Sequence, residues 1–319
     1  MSGVAASSHP TPSDPDQPPL DPPQRGRGRA LVLGGGGSTG NAWLLGVVAG
    51  LFEAGLDVTT ADVTIGTSAG ATAAAQLAGA TPPELLAAIL AAAPQPQHGR
   101  VESDRGNAPT APVAEHLQRI TSIIASATDA ADMRRRLGEA ALAMDAASDG
   151  AWSAQWRATV AARLPDRRWP DRTMLLTAVE ARTGEPVVFD RHSGVDLVDA
   201  VAASCASRLP YRLGDARYLD GGYRANAENA DLAAGCARVL VLSPLGGRAL
   251  TPAGWGTHLA TQVDALRARG AVVETVVPER DSQHLFGANA MDLSLRPSAA
   301  RAGFGQGAAL ADRLTEFWR

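Results

Sequence analysis

The stretch Asp62–Gly79, DVTIGTSAGATAAAQLAG, sets a β-branched run against an alanine-rich run, with Gly66-Thr67-Ser68-Ala69-Gly70 at the junction. Val63, Thr64 and Ile65 suit a strand, and alanine suits a helix. A strand that feeds a helix directly must turn once and sharply, which needs small residues on both sides of the turn. Gly66 and Gly70 supply them, and the whole pattern is the G-x-S-x-G nucleophile elbow. Such a turn lifts the Ser68 hydroxyl clear of the sheet. The following helix aims its free N–H groups and positive dipole at the same place, which favours an alkoxide.

Upstream, Leu31–Trp43 reads LVLGGGGSTGNAW: a buried strand over 29–33, then four glycines, then a helix from about 41 to 54 that Gly55 ends. Gly35, Gly37 and Gly40 formally fit the dinucleotide fingerprint, which is weak alone. That reading requires an acidic residue at the end of the second strand, and here that strand ends in Gly66-Thr67-Ser68. Bare glycine backbone has another use, as N–H donors converging on a substrate oxygen without side chains in the way. Gly35, Gly36 and Gly37 are the candidate donors, with Ala69 N–H as an extra. Neither a cofactor nor a metal is expected.

A serine nucleophile needs a base. Of the six histidines, His284, in ERDSQHLFG after a strand pattern, is the one fit for a triad. The other candidate is Asp220, in RYLDGGY, where Gly221 and Gly222 make a tight turn able to aim the carboxylate inward. Asp-Gly is also a plain turn signal.

These three features together resemble the patatin-like phospholipase family, whose members carry a G-G-G-x-R/K-G loop, a G-x-S-x-G elbow and a later D-G-G or D-G-A. Here they are Gly35-Gly36-Gly37-Ser38-Thr39-Gly40, Gly66–Gly70 and Asp220-Gly221-Gly222, in the same order. The resemblance spans roughly residues 29–310 and is closest to bacterial members. It implies a lipid acyl hydrolase using a Ser68–Asp220 dyad without histidine, with Gly36 and Gly37 as the foremost oxyanion donors. The chain departs from the pattern twice. Thr39 stands where the family has a basic residue, which removes a charge near the site. Arg208, in SCASRLP, stands before Leu209 and Pro210, where the family often has its proline earlier. Asn229 either matches a structural asparagine of the family or caps a helix. Two alternatives stay open: a Ser68–Asp220–His284 triad esterase, and a non-catalytic lipid-binding protein of the same fold. A triad hydrolase of the ordinary kind places several strands before its elbow, and this chain has one before the elbow strand.

The rest of the 319 residues bound these readings. Alternating strand and helix patterns predict an α/β fold with a central, mostly parallel sheet flanked by helices. Helical spacing over Val113–Ala125, Asp129–Ala147 and Ser153–Leu164 predicts a helical insertion at about 95–170, either a lid or an ordinary helical layer. Residues 1–28 read as a disordered Pro-rich tail, and 29–319 as one hydrolase domain. The net charge of −4 gives no reason to expect nucleic acid. Cys205 and Cys236 are too few for a disulfide framework and read as small apolar residues of a reducing compartment. No signal-peptide pattern or membrane-length apolar run is present, so the expectation is a cytoplasmic protein acting on a lipid or ester substrate, with peripheral contact to a membrane. Oligomeric state is not legible.

Overall fold

The structure, a computed structural model, describes residues 28–92 and 113–319. The tail expected over 1–28 lies almost wholly outside the described residues, as does the 93–112 part of the expected insertion.

The first strand, β1 (Arg29–Leu33), is followed by α1 (Gly37–Glu53), β2 (Val63–Gly66), α2 (Ala69–Gly79) and α3 (Pro82–Ala91). Three helices, α4 (Val113–Ser126), α5 (Ala130–Ala146) and α6 (Ala151–Ala161), then separate β2 from β3 (Thr173–Glu180). Next come β4 (Pro186–Phe189), α7 (Leu197–Ser204), β5 (Tyr211–Leu213), β6 (Ala216–Asp220), β7 (Arg238–Leu242), α8 (Leu259–Ala268), β8 (Val272–Val276) and α9 (Arg296–Trp318). The strands form an 8-stranded sheet in the order β5-β6-β3-β2-β1-β7-β8, with β4 paired to β3. Strands β1, β2, β3, β7 and β8 run parallel, whereas β4, β5 and β6 join antiparallel. The expected mostly parallel α/β sheet is therefore present, with an antiparallel end.

Side-chain alternation divides the core between the two faces. Leu31 and Leu33 of β1, with Leu240 and Leu242 of β7, face the large cluster that holds α1, α2, α7 and α9. Ala30, Val32, Val239 and Val241 face a smaller cluster under α8. Helices α4 and α5 cover the antiparallel end through Ile120, Ile124, Met133 and Leu137, packed with Val179 and Leu219.

Helix α1 is buried between the sheet and α9, and small residues set the approach of the two helices. A Cβ on Gly46 would strike the Ala300 carbonyl, and one on Gly303 would strike the Trp43 carbonyl. α1 starts at Gly37, not near Asn41 as the glycine run suggested. Gly37 holds φ 66°, a conformation that glycine adopts without steric cost.

Register aligns the ends that matter. Leu33 sits level with Gly66 and with Leu242, and Gly66 with Leu176. Asp220 pairs with Ala178, two residues further along β3. The glycine loop, the elbow and the Asp220 turn therefore leave the sheet at one edge.

Candidate active site

Ser68 has φ 52° and ψ −115°, and only one other described non-glycine residue, Asn229, has a positive φ. Such backbone is costly for a side-chain-bearing residue and persists only where its surroundings hold it. Three neighbours hold this one. Ser68 N–H donates to Ser204 Oγ at 2.9 Å. Cys205 Sγ donates to the Ser68 carbonyl at 3.1 Å. Thr72 N–H returns to the same carbonyl at 3.1 Å as the first turn of α2. Gly66 and Gly70 are dictated by closeness as much as by the turn. A Cβ on Gly70 would strike the Leu33 carbonyl, and one on Gly66 would come 2.7 Å from Ala71 Cα.

Asp220 ends β6. Its backbone N–H donates to the Ala206 carbonyl at 2.9 Å, and its Oδ1 accepts from Gly222 N–H at 2.8 Å. A Cβ on Gly221 would collide with Thr177, so this turn needs glycine for space. The carboxyl is buried, and burial pushes its pKa up to about 6, against the opposing effects of the Gly222 N–H and of a hydrogen bond from the Ser68 side chain. The carboxyl therefore lies where water does not level its basicity.

Asn229 ties the parts together. Its Nδ2 donates to Thr67 Oγ1 at 3.0 Å, to Thr177 Oγ1 at 3.3 Å and to the Gly221 carbonyl at 3.0 Å. One buried amide therefore links the elbow, the central strand β3 and the aspartate turn. It makes no side-chain cap to the 3-10 turn that follows it, which removes the capping alternative.

The glycine loop lies against the elbow, since a Cβ on Gly35 would sit 3.5 Å from Ser68 Cβ. Its three candidate donors differ. Gly35 N–H donates to the Ala227 carbonyl at 2.8 Å, so it is spent, which corrects the expectation that it faces a substrate oxygen. Gly36 and Gly37 N–H have no partner among the described residues. They open α1, where the first N–H groups of a helix have no intrahelical acceptor. The loop's glycines also answer to packing. A Cβ on Gly36 would meet Pro244 Cβ at 2.6 Å, and one on Gly37 would meet the Ala290 carbonyl at 2.8 Å. Gly40 faces Pro244 likewise.

A guanidinium reaches the loop from elsewhere in the chain. Arg296, at the start of α9, donates to the Ser38 carbonyl at 2.8 Å, to Ser38 Oγ at 3.1 Å and to Asn41 Oδ1 at 3.1 Å. Sequence reading missed it because the residue lies 258 positions from Ser38. Ser204 and Thr177 were missed for the same reason, having no local signature.

His284 stands apart. It is exposed, and its Nδ1 bonds the Asp281 carbonyl at 2.9 Å. Among the described residues no histidine hydrogen-bonds to Ser68 or Asp220. The cysteines are half-buried free thiols, and burial foremost raises the pKa of Cys205 to about 12, which leaves it unreactive. Among the described residues there is no cluster of histidine, cysteine and carboxylates fit for a metal, and no helix long and apolar enough to cross a membrane.

No curated protein matches the sequence. Among solved structures, the chain is similar to VipD from Legionella pneumophila at 12% identity and TM-score 0.38, over 91% of this chain and 67% of that one. It is similar to the type III effector protein ExoU at 16% identity and TM-score 0.30, over 88% of this chain and 53% of that one. The chain thus spans about half the length of the ExoU chain. The model of the family described as patatin-like phospholipase matches residues 31–233, well over half of the chain. Elbow, aspartate turn and glycine loop all fall within that span, and the chain belongs to the patatin-like phospholipase family, hydrolases that act on ester bonds.

Proposed function

We infer that the chain is a serine lipid acyl hydrolase of the phospholipase A or esterase type, working through Ser68 and Asp220. The observation that carries this reading is the interaction of a serine held at positive φ with a buried aspartate whose pKa is raised to about 6. Asp220 accepts the Ser68 proton while Ser68 Oγ bonds to the ester carbonyl carbon. The carbonyl oxygen takes the negative charge and rests on the N–H groups of Gly36 and Gly37, with Ala69 N–H at the head of α2 beside them. Collapse breaks the bond to the alcohol, which leaves with the proton from Asp220. Water then gives a proton to Asp220 and attacks the acyl-serine; as the bond to Ser68 Oγ breaks, Asp220 returns the proton to that oxygen, which frees Ser68 and releases the fatty acid. An ordinary carboxylate is a weak base for serine, and the buried position of Asp220 offsets part of that mismatch.

Met291 is 64% exposed, and a Cβ on Gly37 would come 3.0 Å from its sulfur. An exposed apolar side chain beside the oxyanion loop fits peripheral contact with a lipid surface at the mouth of the site.

The test is hydrolysis of a p-nitrophenyl ester and of a panel of lipid esters by wild type, Ser68→Ala and His284→Ala. Ser68→Ala is expected to abolish turnover, and His284→Ala to retain most of it. Full activity in Ser68→Ala removes the serine mechanism. A loss of several orders of magnitude in His284→Ala installs the triad. No turnover by wild type, with Ser68 unlabelled by a fluorophosphonate, leaves the lipid-binding alternative.

A further inference from the structure

Glutamate is almost never fully buried unless it is paired. Glu228 is fully buried and forms no ion pair among the described residues. Its Oε1 accepts the Ser243 hydroxyl at 2.6 Å, and its Oε2 is buried without a hydrogen-bond partner. Burial raises its pKa, against the opposing effects of the Ser243 hydroxyl and of its own N–H. An uncharged carboxylic acid is the less costly form in such a place. The charged residues of its own segment are spent on each other, since Arg224 pairs with Asp231 at 2.8 Å. The mechanism through Ser68 and Asp220 gives this buried acid no part.

What Glu228 touches is the glycine loop. A Cβ on Gly34 would come 3.3 Å from Glu228 Cγ and 3.3 Å from Pro244 Cδ, so the loop enters between the glutamate stem and the proline ring. Ser243 joins the two. Its Oγ donates to Glu228 and accepts Gly247 N–H at 2.8 Å, while its N–H donates to the Val276 carbonyl at 2.9 Å. The next residue, Pro244, lies against Gly36 and Gly40. The backbone of Glu228 is fixed as well. Asn226 Oδ1 accepts Glu228 N–H at 2.8 Å and Asn229 N–H at 2.7 Å, and the Ala227 carbonyl between them holds Gly35 N–H. The loop needs such bracing. Gly36 and Gly37 N–H have no partner among the described residues to hold them, and glycine has more backbone freedom to lose than any other residue.

We propose that Glu228 is a positioning residue of the oxyanion loop: its stem packs on Gly34, and through Ser243 and Pro244 it holds Gly36 and Gly37 with their N–H groups free for the substrate oxygen. The assignment rests on the hydrolase reading above. In its neutral form the side chain adds no negative charge where the carbonyl oxygen gains one. The first test measures kcat and KM for a p-nitrophenyl ester in wild type, Glu228→Ala, Glu228→Asp, Glu228→Gln, Ser243→Ala and the Glu228→Ala/Ser243→Ala double variant. Glu228→Ala, Glu228→Asp, which is too short to reach Ser243, and Ser243→Ala are each expected to lose about tenfold in kcat, the equivalent of one net hydrogen bond, with KM nearly unchanged. Glu228→Gln keeps both the reach and an acceptor for Ser243, and is expected to recover most of kcat. The double variant is expected to lose no more than either single one, because both break the same link. Full kcat in Glu228→Ala, a loss in Glu228→Gln as large as in Glu228→Asp, or multiplying losses in the double variant overturns the proposal. If Glu228→Ala does not fold, the contrast between Glu228→Asp and Glu228→Gln decides in its place.

The second test needs no turnover. The backbone amide resonances of Gly36 and Gly37 are compared in wild type, Glu228→Asp and Glu228→Gln. Glu228→Asp is expected to move both, while Glu228→Gln leaves them near their wild-type positions and the resonances of α8 stay in place in both variants. Unmoved Gly36 and Gly37 signals in Glu228→Asp overturn the proposal, and so does movement spread evenly over the protein, which is the mark of a general loss of packing. If wild type cleaves no ester, the hydrolase reading fails, and the two glycine resonances still decide whether Glu228 holds the loop.

Discussion

At the scale of the residue, Asp220 couples activity and stability with opposite signs. Its raised pKa means that the folded protein binds its proton more tightly than the unfolded chain does. This favours the fold below the unfolded pKa, and the advantage is lost as pH rises through about 6. At neutral pH the ionised carboxylate therefore costs the fold about 3 kcal/mol, two pKa units at 1.36 kcal/mol each. Asp220→Asn is expected to raise the melting temperature at pH 8 relative to wild type, with the difference vanishing near pH 4. The same variant should lose about 10²–10⁴-fold in kcat, as a removed general base does. In wild type, kcat/KM should fall on the acid side with a midpoint near 6, and a profile flat to pH 4.5 would remove Asp220 as the base.

Asn229 predicts a different signature. Asn229→Ala leaves two buried threonine hydroxyls and the Gly221 carbonyl without their common donor. Stability is expected to drop by about 1–3 kcal/mol in urea unfolding, and kcat to fall more than KM rises, because substrate contacts remain while the elbow and aspartate lose their common tie.

At the scale of the element, how far the sequence could be read depended on how local the cause was. The elbow and the Asp220 turn were legible because each glycine answers to atoms a few residues away or to the strand beside it. Strands β1, β2, β3 and β7 were legible from their apolar runs. The start of α1 was not, because a glycine run has no helical signal of its own, and α9 together with Pro244 holds it helical. Helix α3 went unread although Thr81 and Glu84 form a capping box ahead of it. Strand β5 has three residues, too few for an alternation to show. Arg296 and Ser204 reach the site only through the packing of whole helices.

One prediction belongs here. Arg296→Gln removes the guanidinium that clamps the first turn of α1. Ester hydrolysis is expected to fall about tenfold, well short of the 10²–10³ expected when an oxyanion donor is lost, with the fold retained in far-ultraviolet circular dichroism. Full activity would show that the loop keeps its shape unaided.

At the scale of the whole molecule, the glycine loop, the elbow and the Asp220 turn leave the sheet at its carboxyl edge, where a parallel α/β fold gathers its ligands. Met291 stands at that edge, and Met291→Glu is expected to lower hydrolysis of lipid in vesicles about tenfold while a soluble ester is affected much less. Equal losses on both would count against contact with a lipid surface.

The interlocking of α1 with α9 has a consequence for biosynthesis. Strand β1 sits between β2, made soon after it, and β7, made some 200 residues later, and the glycine-lined face of α1 is covered by α9, which follows later still. A nascent chain emerging from the ribosome must carry its central helix and strand half-covered until β7 and α9 have emerged. A chaperone that shields α1 during that interval has more to do here than in a protein whose neighbours in space are neighbours in time.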